Sequence, residues 1–443
     1  MRFRCLFSAV ALVAAASVGA QEKPVAFTGA QVIPITGEPL AHGVLVVQHG
    51  KILAVGAVGQ VAIPADATVV DATGKVLMPG IVDSHSHVGG GAGGDGSGPL
   101  HPDARVLDAI DVLDASLQKA QAGGITTVNV MPGSGHLISG QTLYLKLREG
   151  RTIADLLIPL EDGSPAGGLK MANGTNPIRA TPFPGTRAKS AALIREQYIK
   201  AQEYREKIKR ANGDADKLPP RNLALEKLVE ILDGKRVVQH HTHRADDILS
   251  VLRISKEFGY KVVLHHVTEG WKVADEIAAA GAACSVIMID SPGGKLETRE
   301  LDWRTPAILE KAGVLVGLHT DDGVTDSRLF LRSAGLAVRA GMTRKGALEA
   351  MTINNAKILG LEARVGSLEV GKDADFILLS GDPLSVYTHI EQTWVEGTKV
   401  FDRADPKDLL YALGGPGAGE KKRAHLCCFT AAFDLGFTAE DLQ

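Results

Sequence analysis

Cysteine is scarce in this 443-residue sequence, with four residues, Cys5, Cys284, Cys427 and Cys428. Cys5 falls in an N-terminal stretch expected to be removed, and a bridge between the adjacent Cys427 and Cys428 would be strained. Cys284 lies in an apolar, strand-like run and reads as a small core residue. A disulfide framework is therefore excluded, and stability has to come from packing. An excess of one charge is lacking too: 48 Lys and Arg stand against 51 Asp and Glu, with no basic cluster interleaved with aromatics. Nucleic acid is not expected as a partner. Beyond the first twenty residues no apolar run is long enough to cross a bilayer.

Those first twenty residues stand apart. Arg2 and Arg4 precede an apolar run from Cys5 to Ala16, and Val18-Gly19-Ala20 before Gln21 has the small-residue pattern of a cleavage site. The run is too short to span a membrane, so residues 1–20 read as a secretory signal peptide. The mature chain is then expected to be periplasmic or secreted, with no stable membrane anchor.

The remainder alternates in texture. From Val25 to about Leu77 short β-rich runs such as Val44–Val47, Lys51–Val55 and Thr68–Asp71 are punctuated by Gly and Pro. The same texture returns in Ala374–Leu379 and Gln392–Glu396. Between them, short apolar strands alternate with amphipathic helices: Thr126–Met131, Arg236–His241, Lys261–His266, Ala283–Ile289 and Val314–Thr320. Repeated β–α units imply parallel strands with helical crossovers. The expected fold class is α/β, a (β/α)8 TIM barrel over 78–361. A small β-sandwich from both chain ends, 21–77 and 362–410, stands beside it, and a tail over 411–443 has no assigned role. Ser190 to Ala211 is a long charged helix with Leu193, Ile194, Tyr198, Ala201 and Ile208 as its buried stripe, read as a crossover or lid. Gly89, Gly91 and Gly94 match the spacing of a dinucleotide loop, but no helix start or suitably placed acid follows, so that reading is rejected.

The chemistry lies at the ends of the strands. Asp83-Ser84-His85-Ser86-His87 follows the apolar run Val76–Val82. Residues two apart on a strand face one side, so His85 and His87 project together and can hold one cation. His241, His266 and Asp321 close or follow three later strands. The carboxyl ends of parallel barrel strands converge on one mouth, which brings these donors to one place and suits Zn2+. Alternation also sorts the doubled histidines: His243 and His319 face inward, whereas His240 and His265 face the helices and read as packing residues. Lys170, in Gly167-Gly168-Leu169-Lys170-Met171-Ala172, is a lone lysine on a short strand. Beside cations its amine would be pushed toward the neutral form and could take up carbon dioxide as a carbamate.

These residues resemble the amidohydrolase superfamily, in particular its imidazolonepropionase-like branch. The matching motifs are Met78–His87, Thr320-Asp321, Met351–Lys357 and Gly366–Asp375, and the resemblance spans roughly 25–402. It implies that His85 and His87 are first-strand ligands of one metal, and His241 and His266 the fifth- and sixth-strand ligands of a second. It also implies that Asp321 is the eighth-strand ligand and proton shuttle, and that Lys170 is the fourth-strand lysine carboxylated in binuclear members. Deaminating members carry a glutamate three residues after the fifth-strand histidine; here that position is Arg244, which favours hydrolysis over deamination.

The resulting expectation is an exported, metal-dependent hydrolase of a carbon–nitrogen bond (non-peptide or dipeptide-like), using two Zn2+ or other divalent transition metals. Its partner is a small-molecule substrate, and a homo-oligomer is compatible with the sequence. Asp321 would act as general base and then acid. His136 and Gln141, in a glycine-rich segment resembling a loop of exported relatives, Arg179 and His243 are candidate substrate contacts. Lactone, cyclic-amide and ester hydrolysis on the same ligands, or an inert metal-binding relative, stay open.

Overall fold

A computed structural model describes residues 23–91, 94–289, 295–415 and 418. The expected signal peptide, Cys427, Cys428 and most of the expected tail lie outside them. The fold is mixed α/β. Strands β1 (Val25–Val32), β2 (Leu40–Gln48), β3 (Lys51–Ala57), β4 (Thr68–Asp71) and β5 (Val76–Pro79) come first. β6 (Ile81–Ser86), β7 (Ile125–Val130), β8 (Ile138–Gln141), β9 (Leu143–Lys146) and β10 (Leu169–Ala172) follow. Then come β11 (Val238–Thr242), β12 (Val262–His266), β13 (Ala283–Ile287) and β14 (Val316–His319), and last β15 (Phe376–Leu379), β16 (Ile390–Val395) and β17 (Thr398–Asp402).

Both ends of the chain meet in one sheet, ordered β17-β16-β15-β5-β1-β2-β3 with β4 paired to β1. The join is β5 against β15, antiparallel, with Pro79 opposite Phe376 and Val76 opposite Leu379. Aromatics are few in this chain, yet three meet here. Phe27 packs edge-on against Phe376 at 4.9 Å and Trp394 at 5.2 Å, in the core that the two segments share. A buried ionic knot ties this sheet to the rest: Lys146 of β9 contacts Asp375 and lies 2.8 Å from Asp373. Asp373 also pairs with Lys51 at 2.6 Å and Arg364 at 3.0 Å.

The central strands form two further sheets, β14-β13-β12-β11-β10-β8 and β6-β7-β9. β10 to β14 are parallel neighbours in sequence order, as repeated β–α units require. Two strands break the pattern. The segment expected to be a loop around Gln141 is β8, antiparallel to β10, and β9 directly after it is antiparallel to β7. Residues 131–137 are all that separate β7 from β8. A parallel return needs a crossover of about a dozen residues, so this short connection can only reverse the chain.

β14 lies against β6 through side-chain bridges. The buried Asn355 amide donates to Val82 O of β6 and Leu318 O of β14, both at 2.6 Å. Gly317 makes room for it, since a Cβ there would come within 2.0 Å of Asn355 Oδ1. Backbone links add to this, with Asp321 N donating to His85 O at 2.9 Å. The long helix runs Arg187–Ala211 and buries Ile194, Tyr198 and Ala201 as expected, with Tyr204 in addition. Ile208, expected in the stripe, is instead exposed near the helix end. Among the described residues no helix is long and apolar enough to cross a membrane.

Candidate metal centre

β6 delivers the first donors. Asp83 and His85 alternate along it, with His87 just past its end, and buried Asp83 accepts from Thr320 Oγ1 at 2.5 Å and from the Thr320 and His85 amides at 3.2 Å. Burial pushes the Asp83 carboxyl up to about 7 against these hydrogen bonds. The same contacts draw Asp321 toward the histidines: Asp321 Oδ1 lies 2.9 Å from His87 Nε2 and 3.4 Å from His85 Nε2. Burial opposes the Asp321 charge, but the His87 contact outweighs it and holds the carboxyl well below the usual range. Asp321 has φ +49°, a left-handed turn that carries the chain out of β14.

His87 shows why this group fits a cation. Its Nδ1 is 2.8 Å from Met131 O, a carbonyl that can only accept, so Nδ1 carries the hydrogen. In the neutral ring the Nε2 lone pair then faces the Asp321 carboxylate. Two acceptors at 2.9 Å require a shared proton or a cation. His85, His87 and Asp321 can together offer donors within 4.8 Å of one another.

Lys170 projects from β10 into the same place. It is fully buried, with Nζ 3.0 Å from His85 Nε2 and 3.4 Å from Met131 Sδ. Burial lowers its amine to about 7, against the pull of Asp321. From β11 and just beyond, His241 and His243 stand with rings 4.6 Å apart, and His266 of β12 lies 4.5 Å from His241. Burial, with crowding by like groups, holds His85, His241 and His266 well below the usual histidine range and His243 at about 3. They are neutral, lone-pair donors. His85 Nδ1, His243 Nε2 and His266 Nε2 are buried without a hydrogen-bond partner among the described residues. Such orphaned nitrogens, gathered with one carboxylate, suit Zn2+.

The structure thus gathers His85, His87, Lys170, His241, His243, His266 and Asp321. His136 and Arg179 stand on neighbouring loops, tied to the cluster through Asn176, whose Nδ2 is 2.6 Å from Ser134 Oγ and 3.2 Å from His241 Nε2. Arg179 donates to Gly135 O at 2.7 Å and covers the Phe183 ring at 3.7 Å, and His136 is buried beside Phe183. Gln141 is not brought in. It sits opposite Leu169, at the far end of β10, and its amide donates to Pro102 O at 3.1 Å and Asp103 O at 3.3 Å.

Two more histidines join from below. His319 faces inward as alternation requires, with Nδ1 2.7 Å from Ser285 Oγ and Nε2 3.2 Å from His266 Nδ1. His265 departs from its expected outward direction. Its ring lies 4.8 Å from His85, and its Nε2 is 2.7 Å from Gln239 Oε1. The cause is His266, whose φ of +71° breaks the strand, so neighbouring side chains no longer fall on opposite faces. His240 lines a cavity between the helices Arg187–Ala211 and Ala245–Phe258, behind the sheet. Glu297, unremarked in the sequence, is buried next to His241 and His243. It belongs to a short helical turn, Leu296–Thr298, after a stretch with no periodic signal.

The amidohydrolase family model matches residues 224–401. The crystal structure of an amidohydrolase from Thermotoga maritima MSB8 superposes with a TM-score of 0.80 at 35% identity, covering 86% of this chain and all of that one. The protein called amidohydrolase tasK from Hapsidospora irregularis is 27% identical over 77% of this chain, which spans 38% of that longer protein. Imidazolonepropionase from Fusobacterium nucleatum is 22% identical over 82% of this chain and 92% of its own length. The chain belongs to the amidohydrolase superfamily, in its imidazolonepropionase-like branch, and is a metal-dependent hydrolase acting on carbon–nitrogen bonds.

Proposed function

We propose that this chain is an exported, periplasmic or secreted amidohydrolase that cleaves an amide in a small N-acyl or dipeptide-like substrate. The architecture behind this reading is a closed (β/α)8 barrel with a flanking β-sandwich. Support for closure comes from Asn355, which joins β14 to β6, and from β8 and β9, which link β10 to β7 through one continuous segment.

The observation that carries the chemistry is the contact between His87 Nε2 and Asp321 Oδ1, with the other His87 nitrogen spent on Met131 O. His85, His87 and Asp321 would hold one Zn2+, and His241 and His266 would bring imidazoles to a second. Bound there, such ions lower the pKa of water toward neutrality and polarise a carbonyl. Asp321 takes the proton of the attacking water onto its carboxylate and returns it to the departing nitrogen. Lys170, its amine lowered by burial to about 7 and so partly neutral at that pH, would add to carbon dioxide through its nitrogen lone pair and lose a proton, giving a carbamate anion beside His85. His136 and Arg179, on loops tied to His241 through Asn176, contact the substrate, Arg179 offering its guanidinium to a carboxylate.

The test is a panel of N-acyl amino acids, dipeptides, lactones and esters given to the zinc-loaded protein. Amide turnover that falls by about 100-fold or more in Asp321→Asn, with circular dichroism unchanged, is expected. Turnover of lactones or esters alone would replace the amide assignment, and a variant as active as the parent would remove Asp321 from the proton path.

A further inference from the structure

His240 stands on β11 next to His241 but lines a separate cavity, outside the metal centre. The cavity lies between the helices Arg187–Ala211 and Ala245–Phe258, behind β10 and β11, and measures about 40 Å3. Met171, Ile194, Val251, Ile254 and Tyr260 give it apolar walls. At roughly 10–15 Å3 for each water-sized group it admits about three of them, the size of an isopropyl group.

The polar groups around it are incompletely paired. His240, 5% exposed, has Nδ1 3.0 Å from His241 O, a carbonyl that can only accept, so Nδ1 carries the hydrogen and Nε2 a lone pair. Asn173 donates through Nδ2 to Asp247 O at 2.9 Å, while its Oδ1 is buried without a partner among the described residues. Arg187 and Asp247 pair where their helices begin, with Arg187 Nε 2.9 and 3.0 Å from the two carboxylate oxygens. Arg187 Nη2 lies 3.9 Å from Glu297 Oε2, beyond hydrogen-bond reach, and is buried without a partner for such a bond. The helix that carries Arg187 has no acid in its first turn, so its amide end adds to the attraction for an anion. An apolar chamber thus ends in lone pairs that lack donors and a guanidinium N–H that lacks an acceptor. Such groups carry an uncompensated cost until partners arrive, and a zwitterion brings both kinds at once.

We propose that this cavity binds a short, branched aliphatic α-amino acid, at a site separate from the catalytic centre. Its ammonium meets the lone pairs of His240 and Asn173, its carboxylate the guanidinium of Arg187, and its side chain the apolar walls. Asn173 N also donates to His241 O at 3.2 Å, so the ligand rests against the two residues that flank His241 on the outer side. The amide cleavage proposed above would release such a molecule, but the site itself does not depend on that reaction.

Isothermal titration calorimetry of L-valine into the zinc-loaded full chain tests the site. One saturable equivalent is expected in the parent. Glycine should bind about 10-fold or more weakly for want of three buried carbons, and phenylalanine more weakly because its ring exceeds the space. Ala191→Leu fills the cavity from the helix Arg187–Ala211 and should abolish valine binding; Arg187→Gln should weaken it about 10-fold or more. Should Ala191→Leu fail to fold by circular dichroism, Ser250→Leu fills the cavity from the facing helix. An unchanged Kd in the filled variant overturns the site by placing valine elsewhere, the zinc centre included. A parent that binds no valine, or binds glycine or phenylalanine equally well, overturns it too. None of these outcomes bears on amide turnover, which the substrate panel reads separately.

Discussion

Replacing Asn355 tests whether the two central sheets are held together as described. Its amide donates to Val82 O and Leu318 O at 2.6 Å each, and the residue is wholly buried. In Asn355→Ala both carbonyls lose this donor in a place water does not reach, and each unsatisfied group costs about 1–3 kcal/mol, so about 2–6 kcal/mol in all. At roughly 2 °C per kcal/mol for a large domain, Tm should fall by about 4–12 °C. Val82 and Leu318 each lie three residues before a donor, His85 and Asp321, so zinc affinity should fall as well. The neighbour Asn354 supplies the control. Its amide makes one bond to Val316 O at 3.0 Å in a partly exposed position, so Asn354→Ala should cost only about 1 kcal/mol. Scanning calorimetry on the three proteins decides the matter. A Tm for Asn355→Ala within about 1 °C of the parent, or equal to that of Asn354→Ala, would refute the bridging role.

Two further outcomes follow from the charges. Stripping the ions with a chelator should lower Tm, and restoring zinc at 100 times its Kd should recover about 2.7 kcal/mol per site; a Tm indifferent to chelation would contradict the donor cluster. Asp373 is held well below the usual carboxylate range, since Lys146, Lys51 and Arg364 outweigh its burial, while burial raises its neighbour Asp375. A depressed carboxyl stabilises the fold above the unfolded value near pH 4 and loses that contribution as pH falls further. The stability gap between the parent and Asp373→Asn, read by urea unfolding, should therefore be widest near pH 6 and close below about pH 4; a constant gap would show that charge is not what Asp373 contributes.

Much of the centre was legible because strand periodicity is local. An apolar run ending in a histidine says which side that histidine faces, and His85, His87, His241, His266 and Asp321 were placed together on that ground. The same rule failed at His265 because a single left-handed residue, His266, cancels alternation, and nothing in two adjacent histidines announces it. Gln141 was misplaced for a related reason. Gly133, Gly135 and Gly140 suggested a loop, whereas Ile138–Lys146 holds two short strands whose direction is set by the length of the preceding connection. Glu297 left no trace at all, since a turn that reaches the centre through tertiary packing has neither period nor motif.

The sheet shared by the two chain ends also sets the order of assembly. β5 ends at Pro79 and its partner β15 begins at Phe376, so about 300 residues are synthesised between them, some 15–60 s at about 5–20 residues per second. Throughout that interval Val76, Leu77 and Met78 present an apolar strand with one open edge, the kind of edge that recruits strands from other molecules. The strands from Phe376 to Asp402 thus act as a closing seam, and until they emerge the chain is not sealed against its own kind.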